Sequence, residues 1–244
     1  MVITLKFPVF KYFKYLCAAM ESILNNPIWF SLLLQQEEYS EGCNNVRFFK
    51  KDVGPFVGLR HNTPENFQLL YNLLEEDRVV VLFTPQADLD PSPLKIGLKM
   101  PGYQMVFEGE IPTVTGSIPI TSLTSKHVPE MLGLTELAQP GPFSTRTIEF
   151  GNYRGIHKEG KLVAMAGHRL QSDSSIEISA VCTHPDHAGQ GYARILLEDQ
   201  IRMIRQSGKI PYLHVRSDNT RAVELYKRMG FRIRTAMYFY VMKK

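Results

Sequence analysis

At 244 residues the chain has room for two modest domains or one large one, and its 44% apolar and 21% charged residues suit a soluble globular protein that buries a real core. The formal net charge of +4 is mild, and no long basic run argues for nucleic acid. Residues 201–244 carry eleven Lys or Arg against only Asp218 and Glu224, which reads either as a solvated basic face or as support for a phosphate-bearing ligand.

Cys17, Cys43 and Cys182 are odd in number, widely spaced and without a CxxC pair. They argue against a disulfide framework and a structural zinc, and for a reducing, cytoplasmic setting. The N-terminal run MVITLKFPVFKYFKYLCAAM is apolar, but Lys6, Pro8, Lys11 and Lys14 interrupt it well before the ~20 residues of a membrane span. No transmembrane segment is expected, and residues 1–19 read as a dispensable extension ahead of a domain start at Met20.

Asn26-Pro27 signals a helix start, with Asn as cap and Pro in the first turn. Val46–Phe49 and Pro55–Leu59 read as short strands, Thr63-Pro64-Glu65 as the start of a helix carrying Phe67, Leu70 and Leu74, and Arg78–Thr84 as a strand. This half, residues 20–112, has no glycine-rich turn and no cluster of titratable groups. Nine prolines and glycines between Ala87 and Ile120 suggest a connecting region, with a domain boundary near residue 112.

From residue 113 onward the pattern predicts a helix around Lys126–Ala138 that ends at Pro140-Gly-Pro142. A hairpin follows, turning at Glu159-Gly160. In the next strand, Ser175–Thr183, strict alternation puts Ile176, Ile178 and Ala180 on one face and Glu177, Ser179 and Val181 on the other. A helix with Ala193, Leu196, Leu197, Ile201 and Ile204 on one stripe ends at Gly208. The strand Ile210–Val215, a helix capped by Asp218 or Asn219, and two strands at Phe231–Ile233 and Met237–Met242 complete the order.

The stretch VCTHPDHAGQGYA, Val181 to Ala193, joins a strand to a helix through two glycines, which exposes backbone amides as an anion site. A Walker loop needs GxxxxGK, which is absent, and Arg194 stands where a dinucleotide fingerprint needs a small residue. With N-x-x-A-x-x-L-Y-x-x-x-G-F downstream at Asn219–Phe231, the sequence resembles the GNAT acyltransferase superfamily, which binds acyl-CoA. Residues from about 115 onward are most similar to its glycine N-acyltransferase branch, and NPIW and KKDVGPFVGL resemble that branch's degenerate first half.

The resemblance implies an α/β fold: a mixed, mostly antiparallel sheet flanked by helices, behind a degenerate GNAT-like or α+β N-terminal half. It implies transfer of an acetyl group from acetyl-CoA, as co-substrate, to an amine by direct attack in a ternary complex, with no metal. Gly189, Gln190, Gly191, Tyr192, Ala193 and Arg194 would meet the CoA pyrophosphate through their amides. Ala188 departs from the family's Gln or Arg at the head of that turn. Val181, Cys182 and Thr183 would pair with the pantetheine arm as an added strand does.

Asn219 would touch the same arm, or serve only as a helix cap. Tyr226 matches the usual general acid, though it also fits a core stripe with Ala222 and Met229. Glu177 is the expected base or else a solvent-facing residue, with His214 and Asp218 in reserve. His184 and His187 lack a third metal ligand. The alternative function is a CoA-binding sensor or interaction module that has lost catalysis, to which Ala188 and the featureless first half point.

Overall fold

The computed structural model describes residues 23–113 and 118–244. The expected extension at 1–19, the domain start at Met20 and Cys17 lie outside them. The first helix lying wholly within the described residues is α1 (Pro27–Leu33), whose Pro27 sits at its first turn as expected. Asn26 holds the N-cap position as expected, but its side chain makes no capping bond. Its side-chain amide instead donates to Leu59 O at 2.7 Å, fastening α1 to β3 (Val57–Leu59).

With β1 (Ser40–Gly42) and β2 (Val46–Phe49), β3 forms a small antiparallel sheet in the order β1-β2-β3. Helix α2 (Pro64–Leu73) follows, with Thr63 accepting from the Asn66 N–H at its start.

The main sheet has eight strands in the order β4-β11-β5-β10-β9-β8-β7-β6. They are β4 (Val79–Thr84), β5 (Lys95–Phe107), β6 (Thr121–Ser122), β7 (Arg154–Lys158), β8 (Lys161–Gln171), β9 (Ser175–Thr183), β10 (Ile210–Arg216) and β11 (Phe231–Lys243). Every pairing is antiparallel except β9 with β10.

β5 is the largest departure from the expected connecting region. Only Gly97, Pro101 and Gly102 of the nine breakers fall within β5, and the last two have a local reason to sit in a strand. The Pro101 carbonyl accepts the Ser217 N–H at 3.1 Å, so its missing N–H also faces β10's side, beyond the last ladder pair of Gly102 with Arg216. A Cβ on Gly102 would lie 2.5 Å from the Phe239 ring and 2.6 Å from Val215 O.

The boundary expected near residue 112 therefore marks no break between two sheets. β5 separates β10 from β11, and one buried cluster holds Leu24, Phe49, Phe56 and Phe83 together with Met165, Ala180 and Tyr212. The two closing strands expected at 231–233 and 237–242 are one strand with a register shift between Ile233 and Thr235.

Helices α3 (Val128–Ala138), α4 (Tyr192–Gln206) and α5 (Thr220–Arg228) cover the sheet. Leu197, Ile201 and Ile204 of α4 pack with Val223 and Tyr226 of α5 on the face that carries Ile176, Ile178, Leu213 and Val215. Met131 and Leu134 of α3 pack on the opposite face with α1. The hairpin at Glu159-Gly160 forms as expected, both residues at positive φ (50° and 76°).

Candidate active site

β9 and β10 pair only over Ser175–Glu177 and Ile210–Tyr212. Beyond that, β9 runs on to Thr183 bonded to β8, and β10 to Arg216 bonded to β5, with no pairing between them. The two parallel strands thus part, leaving backbone groups on their facing edges unpaired, the arrangement that an extended ligand fills as an added strand.

Ala180 stands in the opened segment at φ 53°, a left-handed conformation costly for a residue with a Cβ, beside a register shift against β8. This bulge overturns the expected alternation. Ile176 and Ile178 face α4 and α5, but Ala180 and Cys182 point to the opposite face, and Val181 rejoins the helical side.

At the open end of the gap, Pro185–His187 form a short turn and Gly189 and Gly191 follow at φ 83° and 80°. Gly191 is the N-cap of α4, and no side chain caps that end. The first intrahelical bond is Ile195 N–H to Gly191 O at 3.1 Å, so the amides of Tyr192, Ala193 and Arg194 have no carbonyl a turn earlier to bond.

Side chains hold the turn's shape. The Tyr192 hydroxyl donates to Gln190 Oε1 at 2.7 Å, and Arg194 pairs with Glu198 at 2.7 Å. His184 Nδ1 accepts the Asp186 N–H at 3.2 Å, a structural use of that histidine. Among the described residues no group of three His, Cys, Asp or Glu could hold a metal.

A groove of about 540 Å³ continues from this turn between α4 and α5, lined by Arg194, Glu198, Leu225, Arg228 and Met229, with Pro112 and Thr113 at its edge. Arg228 was not singled out by sequence. Its signal was the spacing of Leu225, Arg228 and Met229 on one face of α5.

Tyr226 is buried against Phe231, ring centroids 5.9 Å apart, in the cluster that reaches Val181. Burial pushes its phenol up to about 12, so it is protonated at neutral pH. Its hydroxyl makes no hydrogen bond to another described residue. The Asn219 side chain accepts the Ala222 N–H at 3.2 Å and so caps α5. Cys182 is buried, and its thiol is raised to about 12 by that burial, which leaves almost no thiolate to act as a nucleophile.

Glu177 is not solvent-facing. It is fully buried on the face opposite α4 and α5, gripped by Arg169, whose Nε donates to Oε2 at 2.9 Å and whose Nη2 donates to Oε1. His214 Nδ1 lies 2.7 Å from Oε1. Gln104 fixes the histidine tautomer: its Oε1 accepts from Arg234 at 2.9 Å, so its Nε2 is the donor, to Leu24 O at 2.8 Å and to His214 Nε2 at 3.0 Å. His214 Nδ1 therefore carries the proton and donates to Glu177.

Burial alone would raise Glu177, but the charge of Arg169 and the bond from His214 bring it down to about 2. Desolvation lowers His214 despite Glu177, keeping the ring neutral. Asp218, the other reserve base, is exposed and bonded by Arg216.

An FR47-like family model matches residues 153–240. Over 120 residues, 46% of the chain and 79% of the relative, it is 28% identical to the [ribosomal protein bS18]-alanine N-acetyltransferase of Escherichia coli K12. It is 35% identical over 83 residues to the N-alpha-acetyltransferase RimI of Mycobacterium tuberculosis, spanning 51% of that protein.

Among solved structures, a protein from Novosphingobium aromaticivorans described as an acetyltransferase of the GNAT family superposes with a TM-score of 0.83 at 31% identity, over 91% of this chain and 98% of that one. A GCN5-related N-acetyltransferase from Kribbella flavida shares the fold with a TM-score of 0.58 at 13% identity, over 88% and 95% of the two chains.

Proposed function

Because the chain belongs to the GNAT acetyltransferase family, we propose that it transfers an acetyl group from acetyl-CoA directly to an amine held beside the thioester. The observation that carries this is the parting of β9 and β10 with an uncapped, glycine-led helix start at its open end. The pantetheine arm would lie along the free edge of Val181–Thr183. The pyrophosphate would take the amides of Gly189–Arg194, where the helix dipole favours negative charge. Arg194 and Arg228 in the adjoining groove suit the remaining phosphate of CoA.

The amine attacks the thioester carbonyl, and a backbone N–H on the free edge of β9 holds the tetrahedral oxyanion. As the carbon–sulfur bond breaks, Tyr226, kept protonated by burial, gives its proton to the departing thiolate, and the proton that the acylated nitrogen sheds on becoming an amide passes through water to restore the phenol. Glu177 is reassigned from base to positioning residue, since a carboxylate near 2 takes up almost no proton at neutral pH. The attacking species is then the amine that is already unprotonated, so kcat/KM should rise with pH along the acceptor's own titration. The likeness to the glycine N-acyltransferase branch rests on the sequence segments quoted above.

Free thiol released from acetyl-CoA in the presence of an amine panel tests the whole scheme. Binding of acetyl-CoA with no release from any amine would make the protein a CoA sensor instead. Tyr226→Phe should lower kcat by about 100-fold and leave the acetyl-CoA dissociation constant nearly unchanged. An equal loss in both would remove Tyr226 from the acid role.

Gly191→Val should weaken acetyl-CoA at least about tenfold by calorimetry, since the residue's positive φ disfavours a β-branched side chain. Beyond its immediate chain neighbours, no atom of the described residues lies within 4 Å of the added Cβ, so the new bulk stands in the open space proposed for the ligand. Unaltered affinity would place the pyrophosphate elsewhere.

A further inference from the structure

On the face of the sheet opposite α4 and α5 lies a cavity of about 10 Å³, walled by Pro142 and Phe143 of the loop after α3, by Tyr153 and Arg169, and by Ser179 and Ala180 of β9. That space suits about one water-sized atom. Ser179 and Ala180 come just after Glu177, the last β9 residue paired with β10, so the cavity abuts the deepest part of the gap.

Two of its walls carry donors without a protein acceptor. Arg169 is only 9% exposed. Its Nε and Nη2 are committed to Glu177, while Nη1 bonds none of the described residues. Tyr153 is 2% exposed, and its hydroxyl likewise has no bond to them. Neither atom is shut off from solvent, so each is open to a water that a ligand oxygen could replace.

Neither group is free to turn away. Glu177 grips two corners of the guanidinium, and the rings of Phe56 and Phe83 lie 4.8 and 5.1 Å from its carbon. The Tyr153 ring is held edge-on by Phe143 at 5.6 Å.

We propose that Arg169 Nη1 and the Tyr153 hydroxyl together receive one neutral carbonyl oxygen of the acyl acceptor, which therefore carries an amide next to its attacking amine. This rests on the acetyl-transfer scheme above and names its acceptor class. The size of the cavity admits one oxygen and little else. Charge selects the amide over a free carboxylate: Glu177 already neutralises Arg169, so a second carboxylate would be repelled in a place with little water to screen it. An amide oxygen takes both donors and adds no charge.

The test uses the full chain with acetyl-CoA and measures thiol release with glycinamide, glycine and ethylamine, matched for unprotonated amine. Glycinamide is expected to exceed both others at least about tenfold in kcat/KM. Ethylamine at parity would mean that no oxygen is read, and glycine above glycinamide would mean that a carboxylate is; either result overturns the proposal.

Tyr153→Phe, which keeps the ring against Phe143, should cut the preference for glycinamide over ethylamine by about fivefold, mainly through KM. An unchanged preference also overturns it. Turnover of all amines alike would leave acetyl transfer standing while the proposal fails. Silence with every amine, and no binding of acetyl-CoA, would bring down both.

Discussion

Arg169→Met is expected to destabilise the protein by about 3–5 kcal/mol, because it leaves the Glu177 carboxylate buried without its cation. For a chain of this size that is a fall in melting temperature of roughly 6–20 °C. Arg169→Met combined with Glu177→Gln should recover more than half of the loss, since removing both charges removes the unpaired one.

Acid titration gives a second readout. The folded-state value of Glu177, about 2, lies below the ordinary carboxylate value near 4.3. Its contribution to stability is thus complete above that ordinary value and fades as pH falls toward 2. In Arg169→Met this contribution should largely vanish, flattening the fall in stability between about pH 4.5 and 2. A single variant that melts within a degree or two of the parent would mean that the pair is not coupled as its geometry says.

Cutting the chain to residues 113–244 should abolish cooperative folding, even though the family match covers only residues 153–240. The shorter piece keeps every residue proposed to touch acetyl-CoA, but it loses β5. β10 and β11 would then face each other across a missing strand.

Met105, Val106 and Phe107 of β5 are all buried. Their burial is worth roughly 1.5–3 kcal/mol each, together comparable to the 5–15 kcal/mol that holds a typical domain folded. A thermal melt and an NMR spectrum of the fragment would decide. A sharp transition with dispersed amide signals would show that β5 is expendable, and mixing in residues 1–112 should restore structure if it is not.

The turn from Val181 to Ala193 and its helix were legible because glycines at positive φ, helix stripes and stop signals are local properties of the chain. The burial of Glu177 was not, because it depends on Arg169 in β8 and on Phe56 and Phe83 from the first half, which touch only once the sheet has formed. The face of Ala180 was hidden for a related reason: period-two reading assumes an unbroken ladder, and a bulge resets it. β5 escaped because Gly102 and Pro101 look like breakers until their neighbours across the sheet are known. Tyr226 and Asn219 could be placed on α5 by spacing, but not their surroundings.

The position of β5 also bears on how the chain reaches this state. A strand that ends at residue 107 is completed on one side by β10, starting at residue 210, and on the other by β11, starting at residue 231. Such distant partners give a high contact order and a slow, entropically costly closure. During synthesis β5 would emerge well before either neighbour, with both edges open. The hydrophobic end of that strand, Met105–Phe107, is then the segment most exposed to wrong pairing, and the first place to look if the protein aggregates as it is made.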